Sequence, residues 1–194
     1  MDSARTILRK CFLVVAVGLT LTGVAAAAPA TAAPGDGSND TTAPAAPPHD
    51  TAGGWVPDGQ ELSPFDLADP AVSRLDPTLL AAIERAARAA AVDGVTLGLT
   101  SGWRSPQFQQ QLFDDAVARY GSVAVASQYV ASPQVSKHVV GKAVDIGPTE
   151  ADNWLLRNGT AFGLCQIYAN EIWHFELASD YGGGCPPLRP NAAG

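Results

Sequence analysis

The chain has 194 residues, of which 46% are hydrophobic, and a formal net charge of −7 at pH 7. This length accommodates one domain with its own core beside terminal segments. The acidic balance argues against a nucleic-acid partner, because proteins that bind DNA or RNA present lysine and arginine to the phosphates.

The first 32 residues have the three-part pattern of a secretory signal peptide. Arg5, Arg9 and Lys10 form a basic start, an apolar run follows over 11–28, and small residues end at Ala32. We predict cleavage near Ala32 and a secreted product. Cleavage removes three positive charges and one negative charge, which changes the net charge from −7 to −9. The alternative is an uncleaved anchor, since the apolar run is at the lower limit for spanning a bilayer.

Residues 33–54 are almost entirely Ala, Pro, Gly, Thr, Asp and Ser, without the apolar periodicity that drives packing. We predict a flexible linker there and one folded domain over 55–194.

Two helices are predicted in the first half of this domain, over 76–94 and 105–121. Each opens with a capping side chain, Asp or Ser, that is followed by proline, and each ends at glycine. A strand is predicted between them at 95–100, and residues 101–104 form the loop that leaves it.

The second half alternates short strands with one helix. A strand is predicted at 142–146, then a helix that starts at an acidic capping box over 149–152 and ends at Gly159. Runs rich in β-branched and aromatic residues at 164–168 and 172–177 predict a terminal hairpin. This mixture favours an α+β fold.

Cys165 and Cys185 are the two cysteines that remain after signal cleavage. In an oxidising compartment an even pair predicts a disulfide, which by loop entropy contributes roughly 3 kcal/mol. The alternative is two buried thiols.

His138 and His174 are the two histidines of the predicted domain. A catalytic zinc takes three protein ligands and a water, so that the third ligand is a carboxylate, and Asp145 is the natural candidate. Gly141 permits the chain to reverse after His138, and strand alternation places the small Ala143 on the same face as Asp145.

Glu171 lies three residues before His174, near the predicted turn, where its carboxylate can reach the water that the metal activates. Each residue also has an ordinary interpretation: a hydrogen-bonded structural histidine, a turn aspartate or a charge at the rim of a cleft. The hypothesis therefore depends on their joint pattern.

The patterns Ser-x-His-x-x-Gly-x-Ala-x-Asp over 136–145 and Glu-x-Trp-His over 171–174 resemble the zinc D-alanyl-D-alanine carboxypeptidases and dipeptidases, including those of vancomycin resistance. The similarity extends to Ser-Gly-Trp-Arg-Ser over 101–105, where the family usually has Tyr instead of Trp, and to Gln109. The resemblance implies an α+β, D-Ala-D-Ala peptidase/hedgehog-like fold, with a small antiparallel sheet that carries one zinc ion and is flanked by helices.

The resemblance also implies residue roles. Those roles are zinc ligands for His138, Asp145 and His174, general base for Glu171, oxyanion stabilisation for Arg104, and substrate binding for Ser136 and Gln109. For Arg104 a surface salt bridge is the alternative, and Lys137 and Lys142 are interpreted as solvated charges.

We therefore expect a cell-wall zinc D,D-carboxypeptidase that acts on peptidoglycan stem peptides, as a monomer with no membrane contact beyond the signal. The alternatives are a dipeptidase or endopeptidase of the same fold and a non-catalytic zinc-containing module. The chain lacks Ser-x-x-Lys, Lys-Thr-Gly, Gly-x-Ser-x-Gly and His-Glu-x-x-His, which argues against serine hydrolases and thermolysin-type enzymes.

Overall fold

A computed structural model describes residues 50–194. The predicted signal peptide and residues 33–49 of the predicted linker lie outside the described residues. Residues 50–54, which the sequence analysis placed in the linker, include a 3-10 turn at Thr51–Gly53 whose last carbonyl accepts a hydrogen bond from the Ser105 amide. None of the helices within 50–194 combines the length and the apolar character needed to cross a membrane.

The described residues form five α-helices and four β-strands. The helices are α1 (Pro70–Ser73), α2 (Pro77–Val92), α3 (Pro106–Tyr120), α4 (Val123–Ala126) and α5 (Thr149–Asn158). The strands are β1 (Gly98–Ser101), β2 (Ala143–Gly147), β3 (Leu164–Gln166) and β4 (His174–Leu177).

The predicted starts of α2 and α3 are confirmed. The Asp76 side chain accepts hydrogen bonds from the amides of Thr78 and Leu79, and Ser105 caps α3 in the same way. Gly121 closes α3 with φ +77°, a conformation that costs glycine little.

The predicted capping box of α5 is wrong. Thr149 is already helical, Pro148 is the N-cap, and no side chain caps the helix. Pro148 supplies an extended backbone at the cap position, so the helix starts one residue earlier than the box requires. Asp152 is consequently buried and free of any capping contact.

The strands form one antiparallel sheet in the order β1-β2-β4-β3. The predicted terminal hairpin is confirmed as β3 and β4, with shorter strands and a longer connection than the sequence suggested. The first strand starts at Gly98 and not at Val95. The structure thus has the predicted α+β architecture.

The two faces of the sheet have different roles. On one face Val144, Ile146 and Phe175 join a core with Leu79 of α2 and Leu155 of α5. The alternate residues of β2 and β4 point to the opposite face, because successive side chains of a strand change sides. These alternate residues, which are all buried, are Ala143, Asp145, His174 and Glu176.

Cys165 of β3 and Cys185 form the predicted disulfide. It holds the C-terminal segment beside the hairpin, where Arg189 exchanges backbone hydrogen bonds with Ile167 and Ala169. The same segment brings Ala192 to the cleft described below.

Candidate active site

Three side-chain atoms converge on the polar face of the sheet. His138 Nε2, Asp145 Oδ1 and His174 Nδ1 lie 3.1 to 3.4 Å from one another. In a tetrahedral zinc site with bonds of about 2.1 Å, two ligand atoms lie about 3.4 Å apart. We call these three residues the ligand cluster, and both the spacing and the donor types fit a zinc ion.

Backbone pairing positions the cluster. Asp145 of β2 is the register partner of His174 on β4, so their side chains are neighbours on one face. His138 comes from the turn before β2, where Gly141 has φ +69° and its carbonyl accepts the Asp76 amide. A Cβ at Gly141 would lie 2.5 Å from the Arg74 carbonyl oxygen, so a side chain cannot fit there.

Hydrogen bonds orient both imidazoles. His138 Nδ1 donates to the Gly102 carbonyl at 2.8 Å, and His174 Nε2 donates to Glu176 Oε1 at 3.1 Å. In the neutral rings the remaining nitrogens, His138 Nε2 and His174 Nδ1, then carry lone pairs that face the cluster centre. These tautomers are the ones that metal binding requires.

Glu176 has no predicted role, although it lies two residues after His174 and therefore on the same strand face. Its side chain is fully buried, and its other oxygen accepts a hydrogen bond from the Tyr181 hydroxyl at 2.8 Å. Ala143, the register partner of Glu176, leaves room for this carboxylate. The strand alternation that located Asp145 was also a signal for Glu176.

The cluster favours positive charge at its centre. Burial alone would raise the pKa of Asp145, but His138, His174 and Arg104 hold it well below its usual value. Burial would lower the pKa of His174, yet hydrogen bonds to Asp145 and Glu176 raise it to about 9. A cation at this point is therefore stabilised by the surrounding carboxylates.

Glu171 stands beside the cluster without belonging to it. Its Oε2 lies 3.9 Å from His174 Nδ1, and its backbone amide donates to the Tyr168 carbonyl in the turn before β4. Burial raises the pKa of this carboxyl to about 7. A carboxylate with such a pKa is suited to exchange protons near neutral pH.

Arg104 is anchored on three sides and is not a surface salt bridge. Its guanidinium donates to Asp145 Oδ2 at 2.7 Å, to Ser101 Oγ at 2.8 Å and to Gln109 Oε1 at 3.1 Å. Its backbone amide donates to the His138 carbonyl. Arg104 therefore holds a fixed positive charge at the edge of the cluster.

The ligand cluster opens into a cavity of about 260 Å³. Ser136, Gln109 and Lys137 line this cavity beside an apolar wall that includes Leu112 and Tyr129. Gln109 is almost completely buried, and both ends of its amide are engaged, since Nε2 donates to a backbone carbonyl at 2.8 Å. Its predicted role in substrate binding stays a prediction, as does that of Ser136.

The two lysines near the cluster differ. Lys137 lines the cavity. Lys142, which was interpreted as a solvated charge, has a side chain that is 39% exposed and pairs with Asp180 at 3.1 Å.

Known proteins are similar to this chain over the same region. The family model "VanY: D-alanyl-D-alanine carboxypeptidase" matches residues 72–182, more than half of the sequence. A D-alanyl-D-alanine carboxypeptidase of Enterococcus faecalis (strain ATCC 700802 / V583) is 33% identical over 112 residues, which cover 45% of this chain and 42% of the relative. The chain thus spans less than half the length of that relative.

Two solved structures have the same fold. A mutant of the vancomycin resistance D,D-pentapeptidase VanY in complex with Zn(II) has a TM-score of 0.51 and 29% identity, and covers 57% of this chain and 80% of that one. VanYB in complex with D-Alanine-D-Alanine has a TM-score of 0.51 and 28% identity, over 57% and 79% of the two chains.

Proposed function

The chain belongs to the VanY family of D-alanyl-D-alanine carboxypeptidases, and on that premise we propose that it is a zinc D,D-carboxypeptidase of the cell wall. Its substrate would be a peptidoglycan stem peptide that ends in D-Ala-D-Ala. The observation that carries the proposal is the ligand cluster, whose three donor atoms have tetrahedral spacing and lie beside an independent carboxylate and a fixed cation.

His138, Asp145 and His174 are the residues that would hold the zinc. A zinc ion bound there would supply a Lewis acid that polarises the scissile carbonyl and makes a water more acidic. The hydrogen bonds that orient both histidines and the lowered pKa of Asp145 support this assignment. His174, whose pKa is raised to about 9, would release its second proton when the metal binds.

Glu171 is the proposed general base and then the general acid. It accepts a proton from the water that attacks the peptide carbonyl, and returns that proton to the leaving nitrogen when the C–N bond breaks. The products are a shortened peptide and free D-alanine. A pKa of about 7 supports both steps, since neither proton transfer is strongly unfavourable at neutral pH.

Arg104 is proposed to stabilise the negative charge that develops on the carbonyl oxygen during attack. Its three hydrogen bonds hold the guanidinium in place before the substrate arrives, so that little reorganisation is needed in the transition state. Ser136, Gln109 and Lys137 are proposed to receive the terminal D-alanine and its carboxylate. The D-Ala-D-Ala complex of the related structure supports this substrate class.

We further propose the domain organisation and location predicted above: a signal peptide over 1–32, a linker over 33–54 and a monomeric peptidase domain over 55–194 that works outside the cytoplasm. Signal-peptide composition and membership of a cell-wall peptidase family support it.

The first experiment measures metal content by mass spectrometry and D-Ala release from a pentapeptide ending in D-Ala-D-Ala. We expect about one zinc per chain, and a Glu171→Ala variant that keeps the metal but loses release by a factor of at least about 100. The matched control is Glu150→Ala, at an exposed position of α5. Zinc without release by the wild type would instead favour another wall bond or a non-catalytic role, and a metal-free protein after zinc-replete purification would contradict the proposal.

A further inference from the structure

A second cavity, of about 400 Å³, shares part of its lining with the first. Asp145, Arg104 and Trp173 line both cavities, so the two form neighbouring parts of one cleft. The second cavity is also lined by the hydroxyl-bearing Thr100 and by Asp152 of α5. We call it the acidic pocket.

Asp152 is the feature that the proposed chemistry does not use. Only 4% of its surface is exposed, and its Oδ1 atom is buried without a hydrogen-bond partner. Among the described residues, Asp152 Oδ1 is the one buried side-chain nitrogen or oxygen atom that has no hydrogen-bond partner. A buried carboxylate oxygen without a donor is costly, and such atoms are rare in folded proteins.

The surroundings of Asp152 are negative. Burial, and then the charges of Asp145 and Glu61, together raise the pKa of its carboxyl to about 6. Arg104, the cation in the pocket wall, is already engaged by Asp145 at 2.7 Å. Asp152 Oδ1 therefore has no donor in the protein, and the negative surroundings favour a positively charged group.

We propose that the acidic pocket binds an ammonium group of the substrate, on the side chain of the residue immediately before D-Ala-D-Ala. The ammonium would pair with the Asp152 carboxylate and lie near the half-exposed ring of Trp173, which can add a cation–π contact. This inference rests on the proposed function, because it places the scissile bond at the ligand cluster.

Charge decides which side of the scissile bond enters the acidic pocket. In a carboxypeptidase a single residue follows the scissile bond, and it carries the terminal carboxylate. An anionic pocket repels that carboxylate, whereas the first cavity offers Lys137 and Ser136. The N-terminal part of the peptide is thus directed to the acidic pocket, where a long amine-bearing side chain can cross the shared wall.

The test compares two peptides that differ in one charge: Nα-acetyl-L-Lys-D-Ala-D-Ala and the same peptide acetylated at the side-chain amine. For the zinc-loaded wild type we expect kcat/KM to be about 10-fold higher for the free amine, mainly through KM. Asp152→Asn should abolish this preference, so that the variant has equal kcat/KM values for the two peptides. The matched control Glu150→Gln removes a charge from the exposed side of the same helix and should retain the preference.

Measurements of peptide binding test the acidic pocket separately from the proposed carboxypeptidase activity. Calorimetric titration of both peptides into the zinc-loaded Glu171→Ala variant, with and without Asp152→Asn, reports recognition without turnover. A preference for the amine that disappears with Asp152→Asn supports the acidic pocket even if the wild type releases no D-Ala. Equal affinity for the two peptides, or a preference that survives Asp152→Asn, overturns it even if D-Ala release is rapid.

Discussion

The ligand cluster and the acidic pocket lie in one cleft and share Asp145. They differ in whether their polar groups have hydrogen-bond partners within the protein. In the cluster each histidine has one ring nitrogen bound to a protein acceptor and the other directed to the centre. In the acidic pocket Asp152 Oδ1 has no partner. In the ligand cluster the protein itself provides the hydrogen-bond partners of the histidines, whereas in the acidic pocket it provides no donor for Asp152 Oδ1.

This difference indicates what each part is built for. Groups that are fixed by hydrogen bonds before the substrate arrives stabilise a transition state with little reorganisation. A buried acceptor without a donor gains most when a ligand provides the missing hydrogen bond. We therefore interpret the cluster as the place of chemistry and the acidic pocket as a place of recognition, and three changes test the contrast.

The largest effect is expected at Arg104, which joins the two regions. Arg104→Lys keeps the charge but loses the planar group that contacts Asp145, Ser101 and Gln109 together. We expect kcat for D-Ala release to fall about 10² to 10³-fold, with a much smaller change in KM. Steady-state kinetics measures both.

The control for Arg104 is Arg157→Lys, at an exposed position near the end of α5. Its kinetic constants should equal those of the wild type. If Arg104→Lys raised KM and left kcat unchanged, Arg104 would be a ground-state binding residue, and the contrast between chemistry and recognition would not hold at this position.

How far the sequence could predict this cleft depended on the kind of interaction. Asp76 and Ser105 identified two helix starts because caps are local. The scarcity of histidine and the strand alternation around Asp145 predicted the ligand cluster, which the structure brings together. Roles that belong to one strand or one turn were accessible in this way.

What the sequence did not predict depends on contacts between distant segments. Strand alternation places Glu176 on the same face as His174, but its hydrogen bond with Tyr181 depends on the 3-10 turn that follows β4. Asp152 was interpreted as part of a capping box, since nothing local shows that Pro148 takes the cap position and leaves the carboxylate buried beside another strand. The burial of Asp152 cannot be derived from spacing alone.

The second change removes a hydrogen bond that orients a residue of the ligand cluster. Glu176→Ala removes the acceptor that orients His174, and we expect zinc affinity to fall about 10 to 100-fold. Competition with a chelator measures this without reference to activity. Glu176→Gln restores an acceptor and should recover most of the affinity, and Tyr181→Phe, which loses only the outer hydrogen bond, should have the smallest effect.

If Glu176→Ala and Glu176→Gln lowered the melting temperature equally and left zinc affinity unchanged, Glu176 would be a core residue without influence on the cluster. Circular dichroism of the metal-free variants provides the necessary control, because it separates loss of affinity from loss of fold.

The third change, Asp152→Asn, is expected to have the smallest effect. Unlike the other two changes it should be favourable, because it raises the stability of the protein by removing a buried carboxylate without a partner. In the folded protein the pKa of Asp152 is raised from 3.8 to about 6 by burial and then by Asp145 and Glu61. Between these two values the folded state binds the proton more tightly than the unfolded state does. Stability therefore falls as the pH rises from about 4 to about 6, and the loss is complete above the folded pKa.

Asp152→Asn removes this loss, so the variant should gain about 1 to 2 kcal/mol over the wild type at pH 7.5 and no such gain at pH 4. Calorimetric melting of both proteins without peptide, at both pH values, gives the difference, and Glu150→Gln should show none that depends on pH in this way. A gain of equal size at pH 4 and pH 7.5 would mean that the free protein does not contain an ionised Asp152 carboxylate without a partner. The acidic pocket would then be satisfied like the ligand cluster, and the contrast between the two regions would disappear.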